Sequence, residues 1–242
     1  MNKNRSVDLR LAAAARRRTA RQRTTLAALT SSLAAVSSAQ AAGGHHAVDD
    51  AALLEPGQCQ VETWFDHELG GKRRLLHVGP GCRVGPVEFG LNLDRARLGG
   101  SQTETITGAQ IKWAREIGNG WSAGVVFGVA GQDRSPRYLG STLVVPVTWQ
   151  VSETLFTHIN VGRDFRHGQA DTSRAGLAVE WAALKTWSFV AERFREGAAN
   201  FGRGGARWQA TPSINVDLGY ARGLNSSTPA WWTLGLTWVF DR

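Results

Sequence analysis

The chain has 242 residues, of which 28 are Lys or Arg and 20 are Asp or Glu, and its formal net charge is +8. Almost all of that charge lies in residues 1–41, which contain eight basic residues and one acid. The rest of the chain is nearly neutral, which argues against a nucleic-acid-binding protein. A basic arm that binds nucleic acid remains an alternative interpretation of the first segment alone.

The first segment has the features of a secretory signal peptide. Its basic residues end at Arg23, an apolar run covers 26–36, and Ala39-Gln40-Ala41 predicts cleavage after Ala41. The apolar run is too short to cross a membrane as a helix. We therefore expect a signal peptide (1–41), a periplasmic N-terminal segment (42–56) and a folded domain (57–242).

Two groups of potential ligands follow the cleavage site. His45-His46 and Asp49-Asp50 are paired ligands on what we expect to be a flexible terminus, where metal binding is weak, so we predict no specific metal site and no cofactor. Cys59 and Cys82 are an even pair in an exported chain, which favours a disulfide, although two free buried thiols are the alternative.

From residue 57 onward, apolar and polar residues alternate with a period of two, which is typical of β-strands. Most of the predicted strands are about ten residues long, the length that a tilted transmembrane strand needs. Ten to twelve strands are expected, and the best division gives twelve: 58–67, 72–79, 85–97, 103–117, 120–131, 137–150, 154–165, 172–183, 186–196, 201–211, 213–222 and 230–240.

The connections between these strands alternate in length. Short turns lie at 117–120, 151–154, 184–186 and 211–213, and longer polar loops lie at 94–102, 131–137, 164–173, 195–205 and 222–230. An outer-membrane barrel has short periplasmic turns and longer extracellular loops. The sequence thus predicts an all-β fold, a single antiparallel transmembrane β-barrel.

The tryptophans give an independent indication of the same fold. Seven of them lie near a short turn or the C-terminus: Trp113, Trp121, Trp149, Trp181, Trp187, Trp208 and Trp238. In a barrel they form an aromatic girdle at the periplasmic interface, and Trp231 and Trp232 belong to the opposite girdle. A soluble β-sandwich, the alternative fold, does not predict this clustering.

The face opposite the apolar one supplies the candidate functional residues, because it lines the interior of a barrel. The candidates are polar or charged: Glu62, Glu88, Lys112, His158, Asn160, Glu180, Glu192, Arg207 and Asp217. Acids outnumber bases on this face, which predicts a mildly cation-favouring conduit for small solutes. A closed interior of mutually satisfied ion pairs is an equal alternative.

Catalysis has little support in the sequence. Barrel enzymes that modify lipids need a serine activated by histidine, and the chain has no G-x-S-x-G motif and no serine at a supportive spacing from His158. We therefore expect a protein that is not an enzyme. A membrane-embedded lipid-modifying enzyme and a non-conducting structural or adhesive barrel are the alternatives to a conduit.

The last strand ends at the C-terminus, and its alternation continues through Phe240. Its pattern, with Gly235, Trp238 and Phe240, resembles the C-terminal signal that the bacterial barrel-assembly machinery reads. The expected location is the outer membrane of a Gram-negative bacterium. The expected partners are that machinery, outer-membrane lipid and lipopolysaccharide, and a small solute that the sequence does not identify.

The stretch over 49–67, DDAALLEPGQCQVETWFDH, resembles the start of a family of outer-membrane proteins named for the MetA-pathway of phenol degradation, which are often labelled transporter-like. The shared positions are Asp49, Asp50, Gly57, Gln60, Val61 and Glu62. The resemblance implies an outer-membrane barrel that takes up small hydrophobic or aromatic compounds. It supplies no catalytic residues.

Overall fold

The computed structural model describes residues 45–70, 73–98, 103–225 and 230–242, so the predicted signal peptide lies outside the described residues. The described residues form twelve strands: β1 (Gln58–Glu68), β2 (Arg73–Val84), β3 (Val87–Leu98), β4 (Thr103–Gly118), β5 (Trp121–Gln132), β6 (Tyr138–Gln150), β7 (Leu155–Arg166), β8 (Thr172–Leu184), β9 (Trp187–Glu196), β10 (Ala199–Thr211), β11 (Ile214–Gly223) and β12 (Ala230–Asp241). Consecutive strands pair antiparallel, and β1 pairs with β12 to close the sheet. The predicted all-β barrel is confirmed.

The two faces of the sheet have opposite character. On β5 the outward side chains Val125, Phe127 and Val129 are 40–44% exposed, whereas inward side chains such as Thr148 and His158 are buried. Apolar residues therefore face outward and polar residues inward, the reverse of a soluble domain and the arrangement of a barrel in lipid. None of the described residues forms a helix long and apolar enough to cross a membrane.

Two connections differ from the prediction. The predicted loop over 195–205 is a two-residue turn at 197–198, where Gly197 has a φ of 59°, and β10 begins at Ala199. The glycine-rich sequence that suggested a loop lies within the strand, because glycine can pair in a ladder as any residue can. Likewise 79–84 belongs to β2, and the turn to β3 is Gly85-Pro86.

The seven tryptophans near the short turns form the expected band on the outside of the barrel. Each is between 38% and 52% exposed, and neighbours on paired strands stack, as Trp121 and Trp149 do at 5.2 Å between ring centroids. Trp231 is a correction. It is only 4% exposed and packs inside the barrel against Phe201, because it shares the inward side of β12 with Thr233, whereas Trp232 faces outward.

Cys59 and Cys82 form a disulfide, as the sequence favours. They are direct partners in the β1–β2 ladder, and Cys59 is also opposite Phe240 of β12. The bond therefore lies at the short-turn end of the barrel, beside the pairing of the first and last strands.

Residues 45–54, here called the luminal segment, lie inside the barrel. The backbone N–H of Val48 donates to Glu192 Oε2 (3.0 Å), and that of Ala51 donates to Thr148 Oγ1 (2.9 Å). Val48 is fully buried in the core that contains Phe194. The N-terminal segment expected over 42–56 is thus not free of the barrel, since its residues 45–54 contact the inner wall, and its periplasmic location stays a prediction. The segment is not part of a strand, so its backbone N–H groups need other acceptors, and side chains of the barrel interior supply them in place of water.

Candidate functional site

The candidate site is the barrel interior, and all nine residues selected from the sequence have their side chains on that side. Seven of the nine are at most 8% exposed, and Glu62 and Glu88 are half-buried and line a cavity. Their role in lining a pathway stays a prediction. The structure divides most of them between two groups of charges, each of which holds part of the luminal segment.

The first group surrounds Lys112 of β4. Its Nζ donates to Asp49 Oδ1 (3.0 Å) and Asp50 Oδ1 (3.1 Å) of the luminal segment. Glu88 lies opposite Lys112 in the β3–β4 ladder and accepts a hydrogen bond from the backbone N–H of Leu54 (3.2 Å). One lysine thus balances several carboxylates and fixes the segment to the wall.

The second group lies on β9, β10 and β11. Arg207 Nε donates to Asp217 Oδ1 (2.7 Å), and Arg203 Nη1 lies 3.1 Å from Glu192 Oε1. Arg203 also donates to the backbone carbonyl of His45. These side chains are all at most 9% exposed, so their pairs form in a desolvated environment where an unpartnered charge is costly.

His45 and His46 reach this second group from the luminal segment. The His45 side chain is 6% exposed, and its ring lies 4.3 Å from that of His46 between centroids. Burial lowers the pKa of His45 well below its usual range, and the adjacent His46 and the two arginines lower it further.

His158 and Asn160 of β7 are deeper in the interior. His158 is fully buried, with Nδ1 2.9 Å from Thr148 Oγ1 and Nε2 3.7 Å from Glu180 Oε2. The side-chain amide of Asn160 faces the backbone N–H and C=O of Asp49. His158 thus supports the luminal segment through Thr148, whereas Asn160 contacts the segment directly and also lines a cavity.

Two cavities remain beside the luminal segment. One of about 870 Å³ extends along β4 to β9 toward the longer loops, and its wall includes Asp164, Arg174 and Tyr138. The other, of about 580 Å³, is bounded mainly by β1 to β4 and β9 to β12. Ala47 and Asp49 line both, as Asp94, Gln110 and Phe194 of the wall do, so the segment partly fills the lumen and borders both spaces.

Arg203 is a functional candidate that the sequence did not identify. Arg203 lies inside the barrel with its guanidinium carbon 5.2 Å from the ring centroid of Phe194 and 5.7 Å from that of Trp231. Its position in a glycine-rich stretch suggested a loop. The alternation of Phe201, Arg203 and Arg207 on one side of β10 is the signal that could have identified it.

Of the residues in the proposed assembly signal, Gly235 faces inward on β12, and Trp238 is 47% exposed on the outer face. Phe240 pairs with Cys59 where the barrel closes, and its ring is 4.7 Å from that of Trp238 between centroids. Recognition by an assembly machinery stays a prediction.

The closed sheet, the apolar outer face and the polar interior define the protein as a transmembrane β-barrel. The chain belongs to the family described as "Uncharacterised conserved protein UCP029691", whose model matches residues 30–240. No curated protein matches the chain.

Three solved structures are similar to this chain in fold. The KdgM porin has a TM-score of 0.63 at 8% sequence identity, over 75% of this chain and 99% of the porin. The KdgM porin in complex with disordered oligogalacturonate has a TM-score of 0.59 at 10% identity, over 75% and 99%. The NanC porin has a TM-score of 0.57 at 9% identity, over 74% and 98%. At these identities the likeness shows the barrel fold alone.

Proposed function

We propose that the protein is an outer-membrane channel for small solutes whose lumen is narrowed by the luminal segment. The observation that carries this proposal is the space of about 870 Å³ beside the segment, which has a wall of polar and charged side chains. Cavities of this size accommodate a small organic molecule. The porin fold of the similar structures supports a channel over an enzyme.

The charges of the lumen favour cations. Among the strand and luminal-segment residues that face the interior and are buried or half-buried, the acids are Asp49, Asp50, Glu62, Asp66, Glu68, Glu88, Asp94, Glu104, Asp164, Glu180, Glu192 and Asp217, and the bases are Arg83, Lys112, Arg174, Arg203 and Arg207. Fixed charges of one sign attract the opposite ions. The oligogalacturonate of the KdgM complex is a polyanion, so we do not extend that ligand to this chain.

The solute is a second part of the proposal and rests on the resemblance to the phenol-degradation proteins. That resemblance favours small aromatic or hydrophobic compounds. The larger cavity has aromatic as well as polar residues in its wall, with Phe194 and Tyr138 among them. A solute with an apolar body and one polar group matches such a wall.

The outer surface supports a location in the outer membrane with the longer loops outside. Toward the long-loop end the outward-facing positions change from apolar residues to exposed arginines: Arg74, Arg95, Arg97, Arg163, Arg193, Arg195 and Arg222. We infer that this arginine belt contacts the phosphate groups of lipopolysaccharide.

A non-conducting barrel is the second candidate, and the luminal segment favours it. The segment is held by hydrogen bonds and ion pairs on several strands, which closes part of the interior. A lipid-modifying enzyme has less support, since His158 faces the interior and its Thr148 neighbour already accepts a hydrogen bond from Ala51.

The test is single-channel conductance in planar bilayers, with the purified wild type compared with a variant that lacks residues 45–54. We expect conductance steps in the wild type, larger steps in the variant, and a reversal potential in a salt gradient that shows cation preference. The absence of steps in both proteins would overturn the conduit and leave the non-conducting barrel. Anion preference would refute the electrostatic argument.

A further inference from the structure

Two imidazoles and one carboxylate meet inside the barrel at mid-height. His45 and His46 of the luminal segment and Asp217 of β11 each offer a ligand atom, and these atoms all lie within 4.8 Å of one another. His45 is 6% exposed and Asp217 is 1% exposed. The cluster is therefore enclosed by protein.

The ligand atoms in this cluster have unused bonding capacity. Both ring nitrogens of His45 are buried without a hydrogen-bond partner, and so is Asp217 Oδ2, because Arg207 binds only the other oxygen. Buried polar atoms are nearly always paired, since an unpaired one costs on the order of 1–3 kcal/mol. One nitrogen of His45 and this carboxylate are among the three ligand groups that lie within 4.8 Å of one another, so a single bound cation would satisfy both.

The wall of the barrel is shaped to receive the two imidazoles. Gly205 and Gly219 are direct partners in the β10–β11 ladder, and Gly235 is the partner of Asp217 in the β11–β12 ladder. A Cβ at Gly219 would lie 2.7 Å from His45 Nε2, and one at Gly235 would lie 3.3 Å from His45 Nδ1. A side chain at either position would displace the His45 ring.

The surrounding charge favours a divalent cation. The ionisable side chains of the second charged group and its neighbours are Arg203 and Arg207 on one side, and Glu62, Glu180, Glu192 and Asp217 on the other. The formal charges of these six side chains sum to −2. A divalent ion would bring this desolvated group to neutrality.

We propose that His45, His46 and Asp217 bind a divalent transition-metal ion of the zinc class. Imidazole nitrogen and carboxylate oxygen are ligands that Zn²⁺ accepts at about 2.0–2.2 Å in a tetrahedral arrangement. Ligand atoms in such a site are about 3.3 Å apart, so the cluster would contract by at most about 1.5 Å around the ion. Glu192, whose Oε1 is 3.6 Å from His46 Nδ1, is placed to support that histidine.

Metal binding at this position joins the luminal segment to β11. Two ligands come from the segment and one from the wall, so the ion would bind the first residues of the segment to β11. Lys112 holds the following residues through Asp49 and Asp50. The proposal concerns metal binding itself and does not depend on whether the barrel conducts.

The test is zinc titration of the tag-free, detergent-purified protein by calorimetry, with bound metal counted by mass spectrometry and the ligands identified by X-ray absorption. We expect one equivalent of Zn²⁺ with nitrogen and oxygen ligands, and at least a tenfold loss of affinity in His45→Ala and Asp217→Asn. His77→Gln is the matched control, because His77 is also a buried luminal histidine but bonds to Asp94.

Gly219→Val keeps all three ligands and fills the space beside His45, so it should lose zinc as the ligand variants do. Heat-modifiable gel migration verifies that each variant forms a barrel, and His46→Ala replaces any variant that does not. Failure of the wild type to bind stoichiometric zinc at micromolar concentration would overturn the proposal. So would zinc binding that persists in both ligand variants.

Discussion

Lys112→Met should release the luminal segment from the barrel wall. The substitution leaves the carboxylates of Asp49 and Asp50 without the ammonium group that lies 3.0 and 3.1 Å from them. Removing one partner of a buried ion pair costs about 3–5 kcal/mol. Because the Asp49 side chain is 35% exposed, we take the lower value, about 3 kcal/mol, which is roughly a hundredfold shift toward the undocked segment.

The assay is the labelling rate of a reporter cysteine, Ala51→Cys, by a membrane-impermeant maleimide. Ala51 is 4% exposed, so labelling requires undocking and its rate follows the open population when docking is fast. We expect about hundredfold faster labelling in Lys112→Met, near-normal labelling in Lys112→Arg, and partial recovery when Asp49→Asn and Asp50→Asn accompany Lys112→Met. Unchanged labelling in a folded Lys112→Met barrel would refute the docking role of this lysine.

Three further sets of substitutions test the disulfide, the lipid-facing surface and the arginine belt. Cys82→Ser breaks the disulfide and should lower the free energy of unfolding in urea by about 3 kcal/mol for a loop of this size, whereas an unchanged midpoint would contradict the bond's stabilising role. Leu91→Lys puts a charge on the outer face and should cost about 2–4 kcal/mol in the same assay, while the adjacent inward Asn92→Lys should cost much less. The double substitution Arg193→Ser and Arg195→Ser should weaken lipopolysaccharide binding about thirtyfold, which corresponds to about 1 kcal/mol per arginine. Native mass spectrometry measures this binding, with phosphatidylcholine as the comparison lipid. Equal binding by the wild type and the variant would argue against the arginine belt.

The positions of the strands could be predicted from the sequence because each strand has one apolar face toward lipid. A strand such as β5 must present Val125, Phe127 and Val129 to the same side, so the period of two is visible without knowledge of its partners. Pairing then follows from short connections, which make neighbours in the chain neighbours in the sheet. Residue parity also placed the nine luminal candidates on the inward side.

The luminal segment could not be predicted in the same way. Residues 45–54 have no periodicity, and their positions depend on contacts such as Val48 with Glu192 and Asp50 with Lys112, which are far apart in the chain. For the same reason the sequence predicts His45 on a flexible terminus, whereas the structure buries it inside the barrel. Trp231 was misplaced because aromatic identity was given more weight than its parity with Thr233.

The position of the disulfide has a consequence for how the first hairpin is aligned. Cys59 and Cys82 face each other only when β1 and β2 pair in the native register, since a slip of one residue would turn the two side chains to opposite faces of the sheet. The disulfide therefore fixes the native alignment of the β1–β2 hairpin by a covalent bond. Because β1 also pairs with β12, the same bond fixes the position of the strand at which the barrel closes.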